Sequence, residues 1–260
     1  MNAVCQQVAL SQRVAQRFAA AALQYDEQAI AQRHSAQLLL AHMDCVGTVL
    51  DVGCGTGWLT QQIAQQANVN QVVAVDIAPD MLFSPYLVND KIIKIQADAS
   101  CLPIQTASID IVVSNFALQW LLEPALFVQQ LKRILAQGGQ FALALPVHGT
   151  LFEVEQAWQA VDDQVHINRF YSAEYWLTLL QAHGFTISRQ QQQNFFQYYQ
   201  STKELLKSLK SIGANELQQT RRQGLMSRQQ FATLAQAMEN YRCAQGLPLK
   251  YHVLHVWGSY

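Results

Sequence analysis

Asp51, Gly53, Gly55 and Gly57 stand in the stretch TVLDVGCGTGWL, residues 48–59, and their types and spacing suit a nucleotide-cofactor site. Val49 and Leu50 end an apolar run before them, and a helical pattern begins at Trp58. A strand, a glycine turn and a helix start in that order let the backbone approach a ligand closely. The helix start also offers unpaired N–H groups to a negative charge. The dinucleotide fingerprint G-x-G-x-x-G fails here, because its third glycine would fall at Trp58. Asp76 follows Gly57 by 19 positions and ends the apolar run QVVAV. A carboxylate at that distance is placed to accept hydrogen bonds from ribose hydroxyls, and it leaves no room for a 2′-phosphate. Asp98 and Ala99 follow a third apolar run and Asn115 a fourth. Cys54, inside the glycine turn, reads as a small filler and not as a nucleophile.

A parallel sheet is needed to bring these residues together. Residues 49–52, 71–75, 92–96, 109–114 and 140–145 are apolar at nearly every position, which predicts strands covered on both faces. Helical patterns over 58–66 and 126–135 alternate with them, the second closed by Gly138-Gly139. Ligands in such sheets sit outside the carboxyl ends of the strands, where Asp76, Asp98 and Asn115 all fall. Residues 5–43 read as two helices with Tyr25-Asp26 between them. After Pro146 come helices over 151–165 and 172–183, a strand from Phe185 extending toward Tyr199, and a last strand over 251–257.

The chain has 260 residues, 50% hydrophobic and 13% charged, with a net charge of −1. That suits one α/β domain with a sizeable core and gives no bias toward nucleic acid. Five scattered cysteines form no C-x-x-C pair and no zinc spacing, so no metal is expected. They suit a reducing, cytoplasmic setting better than a disulfide framework. No apolar run approaches the ~18 residues of a membrane span. The charge is nevertheless sorted. Residues 201–228 carry Lys203, Lys207, Lys210, Arg221, Arg222 and Arg228 against Glu204 and Glu216, a local +4 that leaves −5 elsewhere. The three lysines fall on one helix face. A solvated face explains a lysine stripe alone; a basic insertion near the active-site end points to an acidic partner.

The acidic-x-G-x-G-x-G pattern resembles the first motif of the class I S-adenosylmethionine-dependent methyltransferases. That resemblance implies an α/β, Rossmann-like fold with a mostly parallel seven-stranded sheet and helices on both faces. It also implies that S-adenosylmethionine is held by Asp51, Gly53, Gly55, Gly57, Asp76, Asp98, Ala99 and Asn115. Asp98 would meet the adenine amino group. Met81, in APDML, would pack on the adenine face or in the core. Tyr25 would touch the methionine part, and Phe116 and Trp120 would flank the sulfonium or fill the core. Some relatives follow the fourth strand with Asn or Asp, proline and an aromatic residue; here Asn115-Phe116-Ala117 lacks the proline, against amide or ring nitrogen as the acceptor.

FALQWLLEP at 116–124, LKRILAQGGQFALALP at 131–146, SLKSIGANE at 208–216 and LPLKYHVLHVWG at 247–258 follow in order. Together they resemble the malonyl-carrier-protein O-methyltransferases of biotin synthesis over essentially the whole chain. The implied layout is a single domain, with N-terminal helices at 1–46, sheet core at 47–200, helical insertion at 201–246 and last strand at 247–260. The implied substrate is malonyl on an acidic acyl carrier protein or coenzyme A, docked by the basic insertion. Arg169 is the first candidate to hold the substrate carboxylate, ahead of Lys210 and Lys250. The family often has proline where Thr56 stands. A methyltransferase for small polycarboxylates or quinone precursors, and a cofactor-binding protein without catalysis, are the alternatives.

Overall fold

A computed structural model describes residues 3–211 and 226–260. Helix α1 (Ala3–Gln28) and helix α2 (Ile30–Leu40) open the chain. Leu10, Val14 and Phe18 recur every fourth residue in α1, which sets one face against the sheet edge. The break falls at Ala29, with φ −79° and ψ 41°. Tyr25 and Asp26 therefore lie in the last turn of α1 and not between two helices as expected.

The βα core then runs β1 (Gly47–Val52), α3 (Trp58–Ala64), β2 (Val69–Asp76), β3 (Ile92–Gln96), β4 (Ile109–Asn115), α4 (Pro124–Ile134) and β5 (Leu135–Pro146). Helix α5 (Phe152–Gln159), helix α6 (Ala173–Ala182) and β6 (Thr186–Tyr199) follow. Helix α7 (Thr202–Ser211), helix α8 (Arg228–Glu239) and β7 (Leu247–Ser259) complete the chain. Among the described residues seven strands form one sheet in the order β3-β2-β1-β4-β5-β7-β6. All neighbours are parallel except that β7 runs antiparallel to β5 and β6. Asp51 pairs with Ala74 on one side and Val113 on the other. This register puts the ends of β1, β2 and β4 at one edge.

Two apolar layers sandwich the sheet, as its strand composition requires. One holds α2, α3 and α5 with Leu39, Ile63 and Val154; the other holds α4 and α6 with Phe127, Leu131 and Trp176.

Three boundaries differ from the sequence expectation. The Gly138-Gly139 pair does not close α4. The chain turns extended at Leu135, which pairs with Ile109, and the glycines sit within β5 where Gly138 N–H donates to the Tyr260 carbonyl. Helix α5 stops at Gln159 because the Asp162 carboxylate accepts the Gln164 N–H and turns the chain. Strand β6 runs 14 residues, paired throughout with the long β7.

Candidate active site

The loop after β1 is built around left-handed glycines. Gly53 has φ +72°, and a Cβ there would stand 2.1 Å from that of Ala117. Any side chain would thus be strained by its backbone and would collide with the turn after β4. Gly57, φ 86°, starts α3 and packs against Leu87, away from the cleft. Between them Gly55 N–H donates to Asp76 Oδ2 at 2.8 Å, while Asp76 Oδ1 accepts Ala78 N–H at 2.8 Å. The loop and the end of β2 are therefore held together by one carboxylate. Burial pushes the Asp76 carboxyl above the usual carboxylate range, although the backbone donors pull the other way. Asp51 is almost fully buried and accepts the Thr60 hydroxyl at 2.6 Å. Burial raises its carboxyl to about 7 despite that hydrogen bond.

Asp51 and Asp76 line a cleft with Gly53, Gly55, Asp98, Ala99, Asn115 and Tyr25. The far wall is α1. Ser11 donates its hydroxyl to Asp98 Oδ2, while Asp98 Oδ1 accepts the N–H and hydroxyl of Ser100. Thr56 donates to Asp26 Oδ1 at 2.7 Å, and Arg33 sits 3.6 Å from the same oxygen. Thr56 thus ties the glycine loop to α1. Asn115 Nδ2 donates to the Gln32 carbonyl, leaving its Oδ1 buried without a partner, as is Arg33 Nε. Buried orphan polar atoms of this kind are uncommon and here face a cleft that a polar ligand would fill. Burial also pushes the Tyr25 phenol up, with the Asp76 and Asp26 charges adding to it, so Tyr25 stays a hydroxyl donor. Cys54, its thiol likewise pushed up by burial, is no nucleophile.

A second chamber of about 590 Å³ opens beyond an aromatic wall. Phe18, Tyr25, Gln32, Phe116 and Trp120 border both spaces. Phe18 meets Trp120 edge-on at 5.8 Å and Tyr25 at 6.1 Å. Phe116 holds φ +54°, a left-handed conformation that costs a bulky residue about 1 kcal/mol or more and here turns its ring into the wall. The chamber is completed by Pro146, Thr150, Leu151, His166, Ile167, Asn168, Phe170 and Tyr251.

Three expected positions, Met81, Gly57 and Arg169, fall elsewhere. Met81 is fully buried in the 3-10 turn Pro79–Phe83 and lines neither space; Ile77 borders the cleft in its stead. Gly57 shapes the helix start without lining the cleft. Arg169 is exposed and lines neither space, although its neighbours Asn168 and Phe170 border the chamber. Arg221 and Arg222, with residues 212–225, lie outside the described residues. Lys203, Lys207 and Lys210 are exposed on α7, whose other face buries Leu205 and Leu209. Lys250 is engaged by Glu153 at 3.8 Å and by the Phe152 ring. Ser11, Gln32, Arg33 and His166 had no motif to mark them, and Tyr251 stood in the motif at 247–258 with no role assigned: each reaches the site from a distant part of the chain.

A glycine-acid loop at the carboxyl edge of such a sheet, closed by an antiparallel β6–β7 pair, defines a class I methyltransferase. A family model described as a methyltransferase domain matches residues 50–143. The fold is shared with the YcgJ protein from Bacillus subtilis, at TM-score 0.61 and 18% identity over 87% of this chain and 98% of that one. The chain is 35% identical to a malonyl-[acyl-carrier protein] O-methyltransferase of Hahella chejuensis, over 93% of its own length and 88% of that protein. It is 33% identical over 94% of its length to the biotin biosynthesis bifunctional protein BioHC of Cellvibrio japonicus, of which it spans about half. The chain belongs to the malonyl-[acyl-carrier protein] O-methyltransferase family.

Proposed function

We propose that this enzyme methylates the free carboxylate of a malonyl thioester, on an acyl carrier protein or coenzyme A, to give the methyl ester used in biotin synthesis. The cofactor is S-adenosylmethionine, which supplies a methyl group on a sulfonium that a carboxylate oxygen can accept without losing a proton. The observation that carries this reading is the pair of adjacent spaces, an acid-and-glycine cleft and a second chamber, that share Tyr25, Phe116 and Trp120 as lining.

Asp76 would accept from the ribose hydroxyls, and Asp98 from the adenine amino group once Ser11 shares or yields its oxygen. Gly53 and Gly55 would give the loop its close approach, and Asp51, Ala99 and Asn115 would border the same ligand. Aromatic faces of Phe116 and Trp120 favour a cation and would exclude water from it. A carboxylate with a pKa of about 4 is ionised at neutral pH, so the reaction depends on positioning more than on a base. The exposed lysines of α7 would dock an acidic carrier. Helix α7 packs on α1, which walls the cleft, so docking and active-site cover are mechanically adjacent.

Labelled S-adenosylmethionine incubated with malonyl carrier protein should give base-labile label, and acetyl carrier protein none. Intact cofactor binding with no label on malonyl would sink the substrate assignment. Transfer to a small polycarboxylate or quinone precursor would replace it.

A further inference from the structure

The second chamber must hold a carboxylate if the proposed function is right, yet among the described residues no lysine or arginine lines it. Its polar lining is of another kind. Tyr251 Oη, Trp120 Nε1 and His166 Nδ1 are all buried and have no hydrogen-bond partner. A buried unpaired N–H or O–H costs about 1–3 kcal/mol, so the Tyr251 O–H and the Trp120 N–H beside one space call for an acceptor that satisfies them. Burial pushes the Tyr251 phenol up, with the neighbouring Tyr199 and Tyr25 adding to it, so its hydroxyl keeps its proton. The indole N–H of Trp120 can only donate.

His166 is held more firmly than a loop residue needs to be. Its ring stacks on Trp158 of α5 at 3.6 Å and 4°. Its Nε2 meets Asp162 Oδ1 at 2.7 Å, with the His166 side chain only 2% exposed. Asp162 therefore accepts the Nε2–H and fixes the ring, leaving Nδ1 as the position still to be filled. Among the described residues lining the chamber, His166 is the basic side chain.

We propose that His166, Tyr251 and Trp120 form the substrate carboxylate site, with Asp162 as the residue that positions His166. The site takes a terminal carboxylate on a short acyl chain and rejects the same chain once esterified, because an ester offers these groups no charged acceptor. Product is thereby distinguished from substrate. The inference rests on the proposed function and replaces Arg169 as the carboxylate partner.

A His–Asp pair beside a methyl donor has a second meaning, that of a base for a hydroxyl substrate, and kinetics separate the two. In the carboxylate site, His166→Gln and Tyr251→Phe should each raise KM for malonyl carrier protein by roughly 10- to 100-fold, with kcat changed far less. Arg169→Gln should leave both unchanged. S-adenosylmethionine affinity by calorimetry should match wild type in all three. With S-adenosylhomocysteine bound, wild type should prefer malonyl-pantetheine over its methyl ester, and the His166 and Tyr251 variants should lose that preference. An active wild type whose variants keep KM and the preference overturns the site while leaving the function standing. So does a collapse of kcat at constant KM, or a KM rise from Arg169→Gln equal to that from His166→Gln. A wild type that transfers nothing to malonyl overturns both.

Discussion

Asp76 is the residue on which the cofactor side turns, since both of its oxygens already accept backbone N–H groups from Gly55 and Ala78. An asparagine there would point an amide donor at one of those N–H groups and remove the charge. Asp76→Asn should therefore weaken S-adenosylmethionine binding roughly 10- to 100-fold by titration calorimetry. An unaltered affinity would remove Asp76 from ribose contact. Thr56 shows a substitution within a motif finding its own partner. Its hydroxyl bonds Asp26, which Arg33 also approaches, so three parts of the chain meet at one carboxylate. Thr56→Val should lower unfolding free energy by about 1 kcal/mol in urea titrations, the usual net value of one such bond.

At the scale of elements, α4 covers one face of the sheet near β4 and β5. Phe127, Val128, Leu131 and Ile134 repeat at helical spacing and are fully buried under β4 and β5. Lys132 and Arg133 close its last turn, Arg133 donating to the carbonyls of Leu102 and Ile104. Leu131→Ala would leave a cavity in that layer and should cost about 2–5 kcal/mol, seen as a lower urea midpoint at unchanged slope. Helix α7 is divided by face: Leu205 and Leu209 are buried, while Lys203, Lys207 and Lys210 are in water. Its stability and its charge can therefore be altered separately, which makes the lysines a clean probe of docking.

At the scale of the molecule, charge sorting predicts salt dependence. Reversing Lys203, Lys207 and Lys210 to glutamate should raise KM for malonyl carrier protein and flatten its salt dependence, while malonyl-coenzyme A turnover changes less. Equal effects on both substrates would argue against a carrier-docking face. The core also carries a pH signature. His255 is fully buried, bonded to Ser35 through Nε2, and burial lowers its pKa from 6.5 to about 4. Between those values the unfolded chain binds the extra proton, so the stability His255 permits is whole above 6.5 and is lost as pH falls toward 4. Asp51, raised to about 7, runs the other way, its native state holding a proton that the unfolded chain releases. The two slopes oppose each other, so wild-type stability should vary little over this window on their account. His255→Gln removes one of them. The stability difference between wild type and variant should shift in favour of wild type by up to about 3 kcal/mol between pH 4 and 7. A difference that stays flat with pH would mean His255 is not neutral in the fold.

The glycine loop, the acids at the strand ends and the order of the first five strands were legible in sequence because each is a local requirement. A left-handed turn needs glycine, a two-sided strand needs unbroken apolar residues, and the acids lie next to both. The resemblance over residues 116–258 extended this to family and to a mostly parallel sheet of seven strands. Local pattern failed where a partner from far away set the outcome. Pairing with β4 drew Leu135 out of its helix, and full burial took Met81 out of reach of any ligand. The second chamber belongs wholly to the tertiary structure. Phe18, Trp120, His166 and Tyr251 come from α1, the turn after β4, the loop after α5 and the last strand. No spacing records their meeting, because only the packing of those four elements on one sheet edge brings the residues together. Arginine at 169 looked like the natural carboxylate partner by residue type, and the fold turned it to solvent.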